Sequence, residues 1–294
     1  MKILIFSLGE KGFNVVYALS SLGKKISLTC IIGQDEAVLS DYSLKLIHFC
    51  QNNGIEYFIR NKSTPSISDF DLLIAAGWRW MIHGIKKEKL IVFHDSLLPR
   101  YRGFAPLVNA LLNMEKRIGV SALLGAEDYD KGNIILQHSI DVTYPTCIKN
   151  EIKNVSKIYA SMAIELVSGI GDGSINLEGR PQDESKASYS LWRDDQDYFI
   201  NWKNSAADIL HFINCVGDPY LGASSVLNGA VVRIHKASLV ADVSVENRDP
   251  GKVIFHKNGF PIVVCGSGLL LLEDIRNFQN EYILPLENFR SRFA

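Results

Sequence analysis

Five short apolar runs in the first hundred residues constrain this chain more than any other feature. They are Lys2 to Leu8, Ile26 to Ile32, Ile55 to Ile59, Asp71 to Ala76 and Leu90 to His94. Apolar runs of this length, bounded by turn formers, suit strands buried on both faces. The first stops at Gly9 and leads into a helical pattern from about Phe13 to Leu22, and another such pattern, Leu44 to Gln51, precedes the third run. Strands alternating with helices lie side by side in parallel, because a parallel neighbour requires a crossover. The expected fold class is therefore α/β, with a Rossmann-like, doubly wound, mostly parallel sheet. Ile118 to Leu124 and Ile134 to Ile140 read as two further strands, joined by the acidic loop Glu127-Asp128-Tyr129-Asp130-Lys131-Gly132. Ile148, Ile152, Val155, Tyr159, Met162 and Leu166 alternate steps of four and three, which predicts one long amphipathic helix ending near Gly169 to Gly173.

At 294 residues the chain is long for one hydrophobic core, so two domains are expected. From Gly171 to Ser190 the periodicity dissolves into Gly, Asp, Glu, Ser and Pro181, the composition of a linker. This places a first domain at 1–180 and the linker with a second domain at 181–294. The second begins with a helix carrying Ile209, Phe212, Ile213 and Val216 on one face. Short strands follow, punctuated by Asn228-Gly229, Asn258-Gly259 and Gly266-Ser267-Gly268, which fits a small OB-like β-barrel.

Charge and cysteines narrow the function. The 31 Lys and Arg balance 32 Asp and Glu, and no polybasic patch stands out, so nucleic acid is not an expected partner. Five scattered cysteines, Cys30, Cys50, Cys147, Cys215 and Cys265, form neither a zinc pattern nor a disulfide framework. No segment has a signal peptide's pattern or a membrane span's length, so a cytoplasmic protein without membrane association is expected, and a homodimer is left open.

The glycines of Leu8-Gly9-Glu10-Lys11-Gly12 do not make a dinucleotide fingerprint, since a tight turn after a first strand needs glycine whatever the function. His94 is a stronger signal. It ends an apolar run, where ligands bind in open α/β sheets, and opens Asp95-Ser96-Leu97-Leu98-Pro99-Arg100-Tyr101-Arg102-Gly103. Asp130, 36 residues later, lies in a glycine-containing loop from which a carboxylate can orient an imidazole. Taken alone, each residue has a structural reading too, His94 as a satisfied core histidine and Asp130 as a turn former beside Gly132.

The run His94-x-Ser96-Leu97-Leu98-Pro99-x-Tyr101-Arg102-Gly103-x-Ala105-Pro106 resembles the signature of the folate-dependent formyltransferases. Asp130-Lys131-Gly132-Asn133-Ile134-Ile135 resembles their second motif. Asp218-Pro219-Tyr220, Pro250-Gly251 and Gly266-x-Gly268 are similar to the carboxyl-terminal barrel of methionyl-tRNA formyltransferase. The resemblance implies that an amine attacks the formyl group of 10-formyltetrahydrofolate, giving a tetrahedral oxyanion. His94 would be the proton shuttle and electrostatic stabiliser, and Asp130 would position it, with no metal involved. The pterin would lie against Trp78, Trp80, Met81, Ser96, Leu97, Ala126 and Asp128, although both tryptophans also read as core residues. One departure stands out: the family has asparagine two residues before the histidine, where this chain has Val92. Losing one oxyanion donor typically costs about 100 to 1,000-fold in rate.

For the acceptor, the segment from Arg193 to Trp202 resembles the opening of the second domain in nucleotide-sugar formyltransferases, including the formyltransferase half of the bifunctional polymyxin-resistance enzyme. That resemblance implies a nucleotide-linked amino sugar and a role in surface polysaccharide biosynthesis, such as lipopolysaccharide O-antigen. From Asp195 to Ala294 nine Lys and Arg face eleven Asp and Glu, a balance of -2 that does not suit a tRNA-gripping domain. Tyr101, Arg102 and Arg193 are the expected substrate-binding residues, the arginines because guanidinium pairs well with pyrophosphate, though surface arginines are common. A methionyl-tRNA formyltransferase-like enzyme, a folate-binding protein weakened at Val92 and a formyl-folate hydrolase are the rival readings.

Overall fold

The apolar runs fold as strands because their β-branched and leucine side chains can be buried on both faces at once. The computed structural model describes residues 1–62, 65–84 and 89–294, which divide into two compact units. The first comprises Met1–Glu36, Ser40–Thr143 and Asn150–Trp192. In order it contains β1 (Lys2–Ser7), α1 (Gly9–Ser20), β2 (Ser27–Ile32), α2 (Ser43–Asn52), β3 (Glu56–Ile59), β4 (Leu72–Ala76), β5 (Leu90–His94), β6 (Arg102–Gly103), α3 (Pro106–Leu112), β7 (Arg117–Leu124) and β8 (Ile134–Asp141). The long helix α4 (Ile148–Asp172) and the short β9 (Tyr189–Ser190) follow.

Seven strands form one sheet in the order β3-β2-β1-β4-β5-β7-β8. β1 to β5 run parallel, while β7 is antiparallel to both β5 and β8, so the sheet is mixed and mostly parallel. Ile3, Leu4, Ile5, Ile32, Ile74 and Ile91 are completely buried. Each such side chain contributes about 1.5–3 kcal/mol on leaving water. Neither the β3 to β4 nor the β4 to β5 connection carries an α-helix among the described residues. One face of the sheet, with Leu4, Phe6, Ile31, Leu73, Ala75 and Val92, is instead covered by Ile67, Phe70, Trp78 and Ile82. This differs from full double winding, and it leaves Val92 only partly covered, one pleat from His94.

Residues 181–192, expected to be a linker, belong to the first unit. β9 pairs in parallel with β6, and the Arg102 and Phe104 amides donate to the Ser188 and Ser190 carbonyls at 2.9 and 3.1 Å. Short α3, which the periodicity does not announce, opens with Pro106 at its first position, where a missing N–H costs nothing.

The second unit, Ala37–Leu39, Tyr144–Lys149 and Arg193–Ala294, holds α5 (Ala206–Val216) and five antiparallel strands. These are β10 (Ala223–Leu227), β11 (Ala230–Val240), β12 (Val253–Lys257), β13 (Phe260–Val264) and β14 (Leu269–Arg276), in the order β10-β11-β14-β13-β12. Ser205 caps α5 by accepting from the Asp208 amide at 3.1 Å. Asn228-Gly229 and Asn258-Gly259 have positive φ at both residues, as tight hairpins with primed turns require. The chain end bridges the two edge strands. Val226 and Ala294 exchange two backbone hydrogen bonds of 2.8 and 2.9 Å, and the Phe293 amide donates to Gly251 at 2.8 Å.

Gly132 lies where the β7–β8 loop folds tightly on itself, and a Cβ there would sit 1.8 Å from the Leu124 carbonyl oxygen. Gly132→Ala is therefore expected to cost about 1–3 kcal/mol, read as a lower thermal midpoint. An unchanged midpoint would show that the loop relaxes freely.

Candidate active site

His94 ends β5 with 7% of its surface exposed. Side chains alternate along a strand, so His94 shares a face with Val92, and Phe93 and Asp95 share the other. The imidazole Nε2 lies 2.7 Å from the Tyr101 carbonyl oxygen, which can only accept, so this nitrogen carries a hydrogen. Nδ1 lies 3.4 Å from Asp130 Oδ1, and Asp130 Oδ2 accepts from the Gly103 amide at 2.8 Å. With Nε2–H committed, a bare Nδ1 would set its lone pair against a carboxylate oxygen. One proton between Nδ1 and Oδ1 satisfies both groups, whichever carries it. The arrangement can thus pass a proton and present positive charge in a site where both side chains are about nine-tenths buried.

Tyr101, Ala105 and Asp130 adopt left-handed φ values of 58°, 45° and 56°. Each costs on the order of 1–3 kcal/mol and persists only where its surroundings impose it. Gln182 supplies much of that constraint. Its amide nitrogen donates to the Asp130 and Gly132 carbonyls at 2.7 and 2.8 Å, and its Oε1 accepts from Arg102 Nη2 at 2.8 Å. Arg102 is completely buried and forks onto Glu184 at 2.7 and 2.9 Å, holding that carboxylate below its usual range.

This corrects the expected role of Arg102: its guanidinium is spent inside the protein, tying β6 to the 182–189 segment, and is not presented to a pyrophosphate. The Tyr101 hydroxyl is likewise engaged, donating to Glu115 at 2.7 Å and accepting from Asn113 at 3.0 Å, so its carbonyl rather than its phenol serves the site. Arg193 falls in the second unit, where it donates to the Asp197 carbonyl and lies 5.3 Å from the Tyr198 ring.

Behind His94, Asp95 pairs with Lys11 and accepts a hydrogen bond from Tyr159. Burial, and then the Asp95 charge, push the Tyr159 phenol well above its ordinary range, so it remains a donor. These three groups brace the strand end from the opposite face. The sequence carried only faint signals for them: Asp95 beside His94, Lys11 in the first glycine loop, and Tyr159 within a stripe that reads as core.

The expected folate-binding residues separate into two groups. Trp78 packs on Phe6 at 5.3 Å and Trp80 at 4.8 Å, and its buried Nε1 has no hydrogen-bond partner among the described residues. Trp80 lies under Arg60 at 3.8 Å, and Met81 is 43% exposed. Leu97 and Ala126 are partly buried, and exposed Asp128 pairs with Lys131 at 3.0 Å. Ser96, in contrast, is buried with its hydroxyl donating to Arg100 at 2.7 Å, so it shapes the turn and has no hydrogen left for a ligand. Among the described residues no group of three or more His, Cys, Asp or Glu could hold a metal, and no helix is long and apolar enough to cross a membrane.

Two family models match the chain, Formyl transferase over residues 69–160 and Formyl transferase, C-terminal domain over 193–292. The chain is 34% identical over 182 residues to methionyl-tRNA formyltransferase of Carboxydothermus hydrogenoformans, covering 61% of this chain and 57% of that one. It thus spans less than two thirds of that relative. To the same enzyme of Ureaplasma parvum it is 26% identical over 275 residues, 87% of each chain. The fold is similar to an N-formyltransferase from Helicobacter canadensis in complex with folinic acid and dTDP-3-aminofucose, with TM-score 0.64, 18% identity, and 93% and 99% coverage. The chain belongs to the folate-dependent formyltransferase family, with both its amino-terminal and carboxyl-terminal parts.

Val92, which stands where the sequence resemblance implies an asparagine, has apolar surroundings. It packs against Leu98, Leu123 and Ile134 and against the cluster containing Trp78 and Ile82. An asparagine there would need a partner that these side chains do not offer, costing about 1–3 kcal/mol. Val92→Asn is therefore expected to lower the thermal midpoint without raising the turnover number. A tenfold faster enzyme would contradict this and show that an oxyanion donor is missing.

Proposed function

We propose that this protein transfers a formyl group from 10-formyltetrahydrofolate to the amine of a nucleotide-linked amino sugar. The His94–Asp130 pair supports the transfer itself. The residues present fit a flat heteroaromatic donor: Trp78, Ile82 and Val92 offer partly exposed apolar surface, and Trp78 Nε1 is a buried donor with no partner among the described residues. When bound, the folate supplies the formyl carbon.

In this reading the chain's own groups handle charge and protons. His94, anchored by Nε2–H on the Tyr101 carbonyl, offers positive charge close to where the formyl oxygen becomes negative. Asp130, fixed by the Gly103 amide, takes up the proton that the attacking amine releases, because both ring nitrogens of His94 are already engaged. As the C–N bond to the acceptor forms and the bond to the folate nitrogen breaks, that proton is available to the departing nitrogen.

The choice of sugar over tRNA rests on one observation in the second unit. Of its nine Lys and Arg from Asp195 onward, Arg233, Lys236, Arg248, Lys252, Arg276 and Arg292 are ion-paired with carboxylates of the same unit. Five carboxylates serve these six cations, Lys252 and Arg292 sharing Asp249, and cations already paired contribute less to gripping a phosphate backbone. A second reading, transfer to methionyl-tRNA, is favoured by the names of the curated relatives.

The two separate in one experiment: 10-formyltetrahydrofolate with equal concentrations of initiator methionyl-tRNA and a panel of nucleotide-linked amino sugars. Formyl is expected on a sugar amine, and His94→Ala is expected to slow its transfer by about 10² to 10⁴-fold. Formyl on the tRNA alone would establish the second reading.

A further inference from the structure

We infer that Phe104 and Tyr129 form an aromatic shelf that stacks against the hexose ring of the acceptor and sets the enzyme's preference for it. The inference rests on the sugar reading above. The two rings lie 5.5 Å apart at an interplanar angle of 53°, yet they are 39% and 52% exposed. Phe104 follows Gly103 and Tyr129 precedes Asp130, so each ring is one residue from an end of the 2.8 Å Gly103–Asp130 hydrogen bond. That bond fixes the two loops against each other and holds the rings as a pair beside the His94–Asp130 proton site.

Neither ring is needed by the core. The nearby apolar cluster is built from Leu98, Leu123 and Ile134 with Val92, and includes neither of them. Two large rings left in water at the site offer broad, rigid contact area that loses little conformational freedom on binding.

Charge indicates what should meet them. From Glu127 to Lys131 the loop holds three carboxylates and one lysine, a balance of -2, and Lys131 is already paired with Asp128. A phosphate is repelled here, whereas an amine, which arrives as an ammonium ion and gives one proton to solvent before it attacks, is attracted both by the loop and by the ring faces. The amine must reach His94 and Asp130 to react. The sugar carrying it then lies over the shelf with its C–H face on the rings, and its diphosphate points away from the acidic loop.

The test measures binding to the full-length protein of dTDP-, UDP- and GDP-linked amino-deoxyhexoses, of the matching nucleoside diphosphate alone, and of folinic acid. For the tightest amino sugar, Phe104→Ala and Tyr129→Ala are each expected to raise Kd about tenfold, and Tyr129→Phe to restore it. The Kd values of the diphosphate and of folinic acid should not move, the latter showing that the variants are folded. Amino-sugar affinity unchanged in both alanine variants, or lost equally for the bare diphosphate, overturns the shelf while leaving the sugar reading intact. If the unsubstituted protein binds folinic acid but none of the amino sugars, both fall together.

Discussion

The hydrogen bond from the Gly103 amide to Asp130 Oδ2 is the interaction on which the site depends. His94 and Asp130 stand 36 residues apart, one at the end of β5 and the other in the loop between β7 and β8, and neither side chain alone determines where the other lies. Gly103 ties the loop after β5 to the loop after β7, Tyr101 turns its carbonyl onto His94, and Gln182 clasps the Asp130 loop from the far end of the unit. Arg102 then locks Gln182 in place, at the cost of burying a guanidinium that needs Glu184 beside it. The left-handed residues of both loops are the strain this arrangement holds.

The sheet serves the same end. β5 is the last parallel strand, and β7 runs back beside it, pairing Val92 with Leu123 and His94 with Ser121. Ile67, Phe70, Trp78 and Ile82 cover the Val92 face with no α-helix among the described residues, while Lys11, Asp95 and Tyr159 brace the strand end from behind. Val92 fits this division. It continues the apolar surface toward Trp78 and offers no hydrogen-bond donor of its own, so in the proposed transfer electrostatic stabilisation falls to the protonated imidazole of His94.

Much of this was legible in the sequence, for physical reasons. Strands buried on both faces leave uninterrupted apolar runs, α4 leaves its steps of three and four, and the two Asn-Gly hairpins need positive φ that few other residues tolerate. His94 and Asp130 were singled out by the resemblance of their two motifs to the formyltransferase signature, since each residue alone reads equally well as structural. The groups that orient them were not. Two are backbone atoms, the Tyr101 carbonyl and the Gly103 amide, which no residue type reveals. Gln182 acts from a stretch whose composition reads as linker, and Arg102 looked like a phosphate ligand because its carboxylate partner, Glu184, lies 82 residues away.

If one shared proton is the core of the site, His94 and Asp130 must act as a unit and their losses cannot multiply. The direct measurement is the single-turnover rate of formyl transfer, at saturating donor and acceptor, in His94→Ala, Asp130→Ala and the double variant. The account predicts that the double variant is within about threefold of the slower single one. A double variant slower by the product of the two single losses would show two independent groups and contradict it.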